Sequence, residues 1–156
     1  MIRPIALASL ILVTTLSNVT SAEDHEKKIK LSQLPAAVQK TVTEQSKGAE
    51  VRGFTTEREG GKTYYEAEMR VNGHSKDVLM DADGKVIEVE EEVFLKDLSP
   101  AVKRGLVVQA GAGNITMIES ITKNDKLVAY EAKVSNHGKR SEIQVGPNGQ
   151  PLEHEE

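Results

Sequence analysis

Val78-Leu-Met-Asp-Ala-Asp-Gly-Lys-Val-Ile-Glu-Val-Glu-Glu-Glu92 is the stretch from which the fold is read. Two runs of alternating apolar residues flank Asp83-Gly84, a dipeptide that tolerates the backbone conformation of a tight turn. The stretch reads as a β-hairpin with an acidic outgoing strand. A weaker copy stands near the C-terminus, Ile143-Gln-Val-Gly-Pro-Asn-Gly-Gln-Pro-Leu-Glu153. Gly84 and Glu88 recur there as Gly149 and Glu153, both 65 positions downstream. The chain is therefore read as a tandem repeat in which each copy closes on this hairpin.

Upstream, Leu31 to Lys47 has the pattern of an amphipathic helix. Leu34, Val38 and Val42 form one apolar stripe, and Gln39, Lys40, Glu44 and Lys47 take the other side. Pro35 suits a first helical turn, and Gly48 can end the helix. Residues 23–30 are charged and aperiodic, a mobile lead-in by this reading. Four strands follow the helix. Val51 to Thr56 leads into a hairpin loop over Glu57 to Lys62. Thr63 to Val71 alternates strictly, with Tyr65, Ala67, Met69 and Val71 against Tyr64, Glu66, Glu68 and Arg70. Asn72-Gly73 is a turn, and Lys76 to Asp81 and Lys85 to Val93 complete the set.

The second copy opens on Leu95, Leu98, Val102, Arg104 and Leu106, which match Leu31, Leu34, Val38, Lys40 and Val42 at an offset of 64. Ser99 can cap this helix and Pro100 can open it, while Gly105, Gly111 and Gly113 weaken it. Tyr65-Glu-Ala-Glu68 matches Tyr130-Glu-Ala-Lys133 at an offset of 65, so one residue is inserted, most simply in the first hairpin loop. Asn136-His-Gly138 answers Asn72-Gly73. The expected fold is α+β, with two tandem repeats (31–93 and 95–154), each one helix followed by a four-stranded antiparallel sheet. Copies of about 60 residues have marginal cores alone, so a shared sheet edge or core is expected to help.

Composition narrows the function. The formal net charge is −4 and basic residues are interspersed with acidic ones, which argues against nucleic-acid binding. Aromatic residues make up 3% of the chain, with no Trp, so a base-stacking platform is not expected. Without cysteine there is no disulfide and no thiolate metal site. Met1-Ile-Arg3, the apolar run Ile5 to Leu16, the small-residue region Ser17 to Ala22 and the charged onset at Glu23 form the pattern of a secretory signal peptide. Its apolar run is shorter than the roughly 20 residues a spanning helix needs. Residues 1–22 are read as that signal peptide, cleaved after Ala22, with the product periplasmic or extracellular.

Candidate chemistry is sparse. Asp81-Ala-Asp-Gly84 with Glu88 and Glu90 to Glu92 offers hard oxygen ligands of the kind calcium takes. An EF-hand loop, however, places its glycine at position six, whereas Gly84 is fourth from Asp81. The second copy has Gly146 and Asn148 in place of the aspartates, so a turn is the preferred reading. His25, His74, His137 and His154 are scattered and form no ligand motif. No GxSxG elbow organises a hydrolase triad. No catalytic residue, metal or cofactor is expected, and Phe54 and Phe94 are read as core. Strand parity sends Glu88, Glu90 and Glu92 outward beside Glu66 and Glu68, onto an acidic face that is either solvated or a docking surface.

Leu34-Pro-Ala-Ala-Val-Gln-Lys40, Tyr64-Tyr-Glu-Ala-Glu68 and Asp81-Ala-Asp-Gly-Lys-Val-Ile-Glu88, together with the signal peptide, resemble the PepSY-like domains of exported bacterial proteins. The resemblance covers residues 30–154 and is to the group likened to β-lactamase-inhibitor proteins. It implies a helix packed on a four-stranded antiparallel sheet. PepSY domains accompany secreted proteases and are proposed to inhibit or modulate them, and the tandem inhibitors clasp an enzyme with a concave sheet. This chain departs from those inhibitors in having neither cysteine nor an aromatic-rich face.

The reading is of an exported, non-enzymatic binding protein that docks another exported protein on its exposed sheet face, as a modulator or inhibitor of a protease. The docking positions are Tyr64, Glu66, Glu68, Arg70, Glu88 and Glu90, with Glu131, Lys133, Glu142 and Glu153 in the second copy. The alternative is a cation-binding envelope protein using the acidic strand Glu88 to Glu92.

Overall fold

A computed structural model describes residues 26–152. The signal-peptide reading and Glu153 lie outside the described residues. The strands are β1 (Lys27–Ile29), β2 (Glu50–Glu59), β3 (Lys62–Val71), β4 (His74–Met80), β5 (Val86–Glu92), β6 (Asn114–Lys123), β7 (Lys126–Asn136) and β8 (Lys139–Val145). Helix α1 (Ala36–Gln45) precedes β2, and α2 (Pro100–Ala110) precedes β6.

The expectation of two separate four-stranded sheets is overturned. All eight strands form one antiparallel sheet in chain order. β5 pairs with β6 from Glu88↔Lys123 to Glu92↔Glu119, so the strand that would have closed a first sheet runs into the next half. The C-terminal half supplies β6, β7 and β8, and after its hairpin turn only the isolated bridge Val145↔Pro151 is found among the described residues. The eighth strand comes instead from the lead-in: Lys27–Ile29 pairs with Thr56 to Phe54 of β2. The physical reason is the strand edge, where unpaired N–H and C=O groups are costly if buried and prone to wrong pairing if left open.

Each helix covers its own core. Leu34, Val38 and Val42 pack on Ala67, Met69, Val78 and Met80. Leu98, Val102 and Leu106 pack on Ile118, Ala132, Val134 and Val145. Val89 faces the first core and stands opposite Thr122, which shares strand parity with Ile118 of the second. Both helices therefore lie on one side of the sheet. Among the described residues, no helix covers the other side, which is open.

The hairpin glycines do more than bend the chain. A Cβ on Gly84 would stand 2.6 Å from the Ala37 carbonyl oxygen, and one on Gly149 would stand 2.2 Å from that of Ala101. Each turn is pressed on the first turn of its helix, where no side chain fits. Thr41 Oγ1 donates to the Gly84 carbonyl at 2.6 Å, closing the first contact. Gly105, read from the sequence as a helix weakener, is the reciprocal of Gly149: a Cβ there would stand 2.1 Å from the Gly149 carbonyl oxygen.

Local differences have simple causes. Pro35 caps α1 rather than opening it, because Leu31–Gln33 forms a separate 3-10 turn ahead of it. Ser99 caps α2, accepting from the Val102 N–H at 3.3 Å, with Pro100 in the first turn. The β2–β3 loop shrinks to Gly60-Gly61, since both strands continue through the charged residues. The β6–β7 turn is equally short, at Asn124-Asp125. The inserted residue is therefore not in a loop. Ile121 pairs with Ala129 and Thr122 with Leu127, leaving Val128 as the extra residue of a β-bulge. Phe54 packs against the first core, but Phe94 is 46% exposed, edge-on to the His74 ring at 4.9 Å.

Candidate functional site

Strand parity assembles the site on the open face. β3 presents Glu66 and Glu68, β4 presents Asp77, β5 presents Glu88 and Glu90, and β6 presents Glu119. Asp77 stands directly opposite Glu68 on one side and Glu90 on the other. Glu57, Glu66, Asp77, Glu88, Glu90 and Lys123 surround a hollow of about 320 Å³. These residues come from five consecutive strands, β2 to β6. Strands four apart can line one hollow only if the sheet curls, so the open face is concave here.

The carboxylates in and beside this hollow differ in what neutralises them. Glu88 has the Lys123 ammonium at 3.4 Å. Glu119 is 2% exposed and holds Lys133 Nζ at 2.8 Å from its Oε2, an ionic contact rather than a directed hydrogen bond. Among the described residues, Glu66, Asp77 and Glu90 have no cation within ion-pair distance. The Oε2 of Glu66 accepts instead from the Thr55 hydroxyl at 3.0 Å.

Burial then dominates their acidity, because removing a carboxylate from water disfavours its charged form. Burial pushes Glu66 up to about 7, against the opposing Thr55 hydrogen bond and with help from Asp77, Glu26 and Glu68. Asp77 is pushed up to about 6 by burial, then by Glu119 and Glu68, with Lys133 opposing. Glu90 rises to about 8 through burial, its hydrogen bond with Glu88, and the charges of Glu119, Glu88 and Glu131. Burial raises Glu131 too, opposed by the amide of Gln144, which donates to its Oε2 at 3.0 Å. For Lys133, burial would lower the ammonium, but the adjoining Glu119, then Glu131 and Glu90, raise it.

The residues expected from the sequence are partly gathered. Glu66 and Glu90 are central, and Glu68, Glu88, Glu131 and Lys133 surround them. Tyr64 lies opposite Glu57, toward the β2–β3 turn. Arg70 is at the other end of β3, where its Nη1 donates to the Gly73 carbonyl at 2.8 Å. Glu142 is exposed on β8, opposite Lys133. The acidic strand is not a single ligand set. Glu91 points to the helix side and pairs with Lys76 at 3.4 Å, and Glu92 accepts from the Ser75 N–H at 2.9 Å. Nor is the Asp81 loop free to bind: its Oδ1 accepts from the N–H groups of Asp83 and Lys85 at 3.0 and 2.9 Å.

Asp77, Glu119 and Lys123 were missed. Asp77 could have been found, because alternation with Val78 and Met80 sends it outward. Glu119 sits inside Met117-Ile-Glu-Ser-Ile121, where apolar residues on both faces hide the parity.

No protein-family model matches the chain, and no curated protein matches it. Solved structures do. A protein of Bacteroides fragilis described as BLIP-like shares 20% identity and a TM-score of 0.55, over 76% of this chain and 83% of that one. A DUF2874-family protein of Bacteroides ovatus shares 21% identity and a TM-score of 0.58, over 77% and 85%. A protein of Bacteroides eggerthii described as periplasmic shares 16% identity and a TM-score of 0.61, over 76% and 86%.

The fold is BLIP-like. At these identities the likeness speaks for the fold alone. Among the described residues, no helix is long and apolar enough to cross a membrane.

Proposed function

We propose that the chain is an exported, non-enzymatic binding protein that docks another exported protein on the open, concave face of its sheet. The observation that carries this reading is the asymmetry of the sheet. Among the described residues, one side is covered by two helices and two apolar cores, while the other has no helix on it and is concave and rich in carboxylates. A protein built only to be stable gains nothing from desolvated carboxylates without counter-ions. Export is supported by the signal-peptide pattern of residues 1–22 and by the structural neighbour described as periplasmic. The PepSY-like resemblance makes a secreted or periplasmic protease the first partner class to assay.

The test is cross-linking by face. A photo-reactive residue at Tyr64 or Glu68 should give a discrete adduct in the native envelope, and one at the exposed Lys40 of α1 should not. Equal labelling from both faces, or none from the open face, would sink the docking reading. Protease modulation is separately tested by adding the purified protein to the partner so identified and following peptide hydrolysis, which should slow.

A further inference from the structure

We infer that the partner of this face presents a lysine or arginine side chain, which enters the hollow between Glu66, Asp77 and Glu90. The inference rests on the docking reading above and deepens it by naming the chemistry of the contact. Three observations carry it. The three carboxylates come from neighbouring strands and line one hollow. They have no ion pair among the described residues, although Glu88 and Glu119 beside them do. The cations beside the three carboxylates are already engaged: Lys123 with Glu88, Lys133 with Glu119, Arg52 with Glu50, and Arg70 with the Gly73 carbonyl. The face therefore has an uncompensated acidic centre beside two compensated carboxylates, Glu88 and Glu119. Charge complementarity of that kind selects a cationic partner and gives specificity and association rate.

A metal ion is the competing occupant, since oxygens of Asp77, Glu90 and Glu119 all lie within 4.8 Å of one another. Calcium, however, takes six to eight oxygens, and three carboxylates reach that number only if each binds through both oxygens or water completes the set. One of the three belongs to Glu119, against which the Lys133 ammonium already rests at 2.8 Å. A flexible cationic side chain needs only the space that Glu66, Asp77 and Glu90 leave unfilled, and guanidinium or ammonium donors match their oxygens.

The contact has a proton signature. The charged groups around the three carboxylates are Glu26, Glu57, Glu59, Glu68, Glu88, Glu119, Glu131, Lys123 and Lys133; of these, Glu26, Glu68, Glu88, Glu119 and Glu131 raise their affinity for protons and Lys133 opposes. Near pH 7 the free protein holds protons on part of this set. A cation entering the hollow favours the ionised forms and releases those protons.

The experiment is a calorimetric titration of the purified protein with octalysine at low salt, in two buffers of different ionisation enthalpy. Calcium chloride and octaglutamate are the other titrants. Octalysine is expected to bind, with a heat that depends on the buffer because protons leave the protein. The triple variant Glu66→Gln/Asp77→Asn/Glu90→Gln should weaken it about tenfold or more. A control of equal charge change, Glu44→Gln/Asp97→Asn/Asp125→Asn, alters exposed residues elsewhere and should leave affinity within about twofold. Equal weakening in both variants, or buffer-independent heat, would overturn the inference. So would calcium binding that the triple variant abolishes while octalysine does not bind. If open-face cross-links persist in the triple variant, docking stands and the cationic contact fails. If there are no such cross-links even in the unaltered protein, docking itself has failed.

Discussion

At the residue scale, Gly105 and the Lys133–Glu119 pair give the sharpest expectations. Helix propensity alone says that Gly105→Ala should stabilise by up to about 1 kcal/mol. The Cβ position 2.1 Å from the Gly149 carbonyl says the reverse. Overpacking against rigid backbone should win, with a net loss of about 1–3 kcal/mol in urea unfolding. A stabilised Gly105→Ala protein would show that the turn does not press on the helix. Lys133→Met should leave the buried Glu119 without its cation and cost up to about 3 kcal/mol, discounted because Lys133 is part-exposed. Adding Glu119→Gln should recover most of that loss. A double-mutant cycle with no coupling would mean that the two groups do not act as a pair.

The raised carboxylates give a pH expectation with a definite sign. Glu66, Asp77 and Glu90 have folded-state values of about 7, 6 and 8, above their ordinary 4.5, 3.8 and 4.5. Across that interval the folded protein holds more protons than the unfolded chain, so this contribution falls as pH rises. It is complete below the ordinary carboxylate range and lost by about pH 8. The melting temperature should therefore drop between pH 5 and pH 8, and Glu90→Gln should flatten the drop and raise stability at pH 8. A Glu90→Gln protein with an unchanged pH profile would remove Glu90 as a source.

At the scale of elements, the caps and turns follow their residues closely. Ser99→Ala removes the side-chain acceptor for the Val102 N–H and should cost about 1 kcal/mol, measured by thermal unfolding. Much at this scale was legible. The 3.6-residue stripe of Leu34, Val38 and Val42 and the strict alternation of Thr63 to Val71 both report burial directly, and both face the core as read. The lead-in was not legible. Lys27-Lys-Ile29 carries two charges and is too short to show a period, and it becomes a strand only because β2 offers it an edge. The bulge at Val128 was equally hidden. An offset that changes from 64 to 65 shows that a residue was added, but not where the ladder absorbs it.

At the scale of the whole molecule, one sheet joins both halves. The five residue pairs between β5 and β6 tie the two cores together. Unfolding should consequently be a single cooperative transition, with near- and far-ultraviolet circular dichroism coinciding in urea. Two separated transitions would show that the halves are held independently.

The sequence by itself determined which residues face inward along each well-patterned element, that turns fall at Asn72-Gly73, Asp83-Gly84, Asn136-His-Gly138 and before Gly149, and that the two halves share a helix-and-hairpin pattern. Those properties are local, set by side-chain period and by the conformations that Gly and Asn tolerate. Only the tertiary structure decided that the strands form one sheet, because pairing between β5 and β6 depends on two edges meeting in space. It also decided the candidate site. Asp77, Glu90 and Glu119 are distant in sequence and meet only through the register of three neighbouring strands. The meaning of the Val78–Glu92 hairpin was likewise settled in space. Gly84 and Gly149 allow a turn to rest on a helix where a Cβ would strike backbone, and a sequence records the glycine without recording what approaches it.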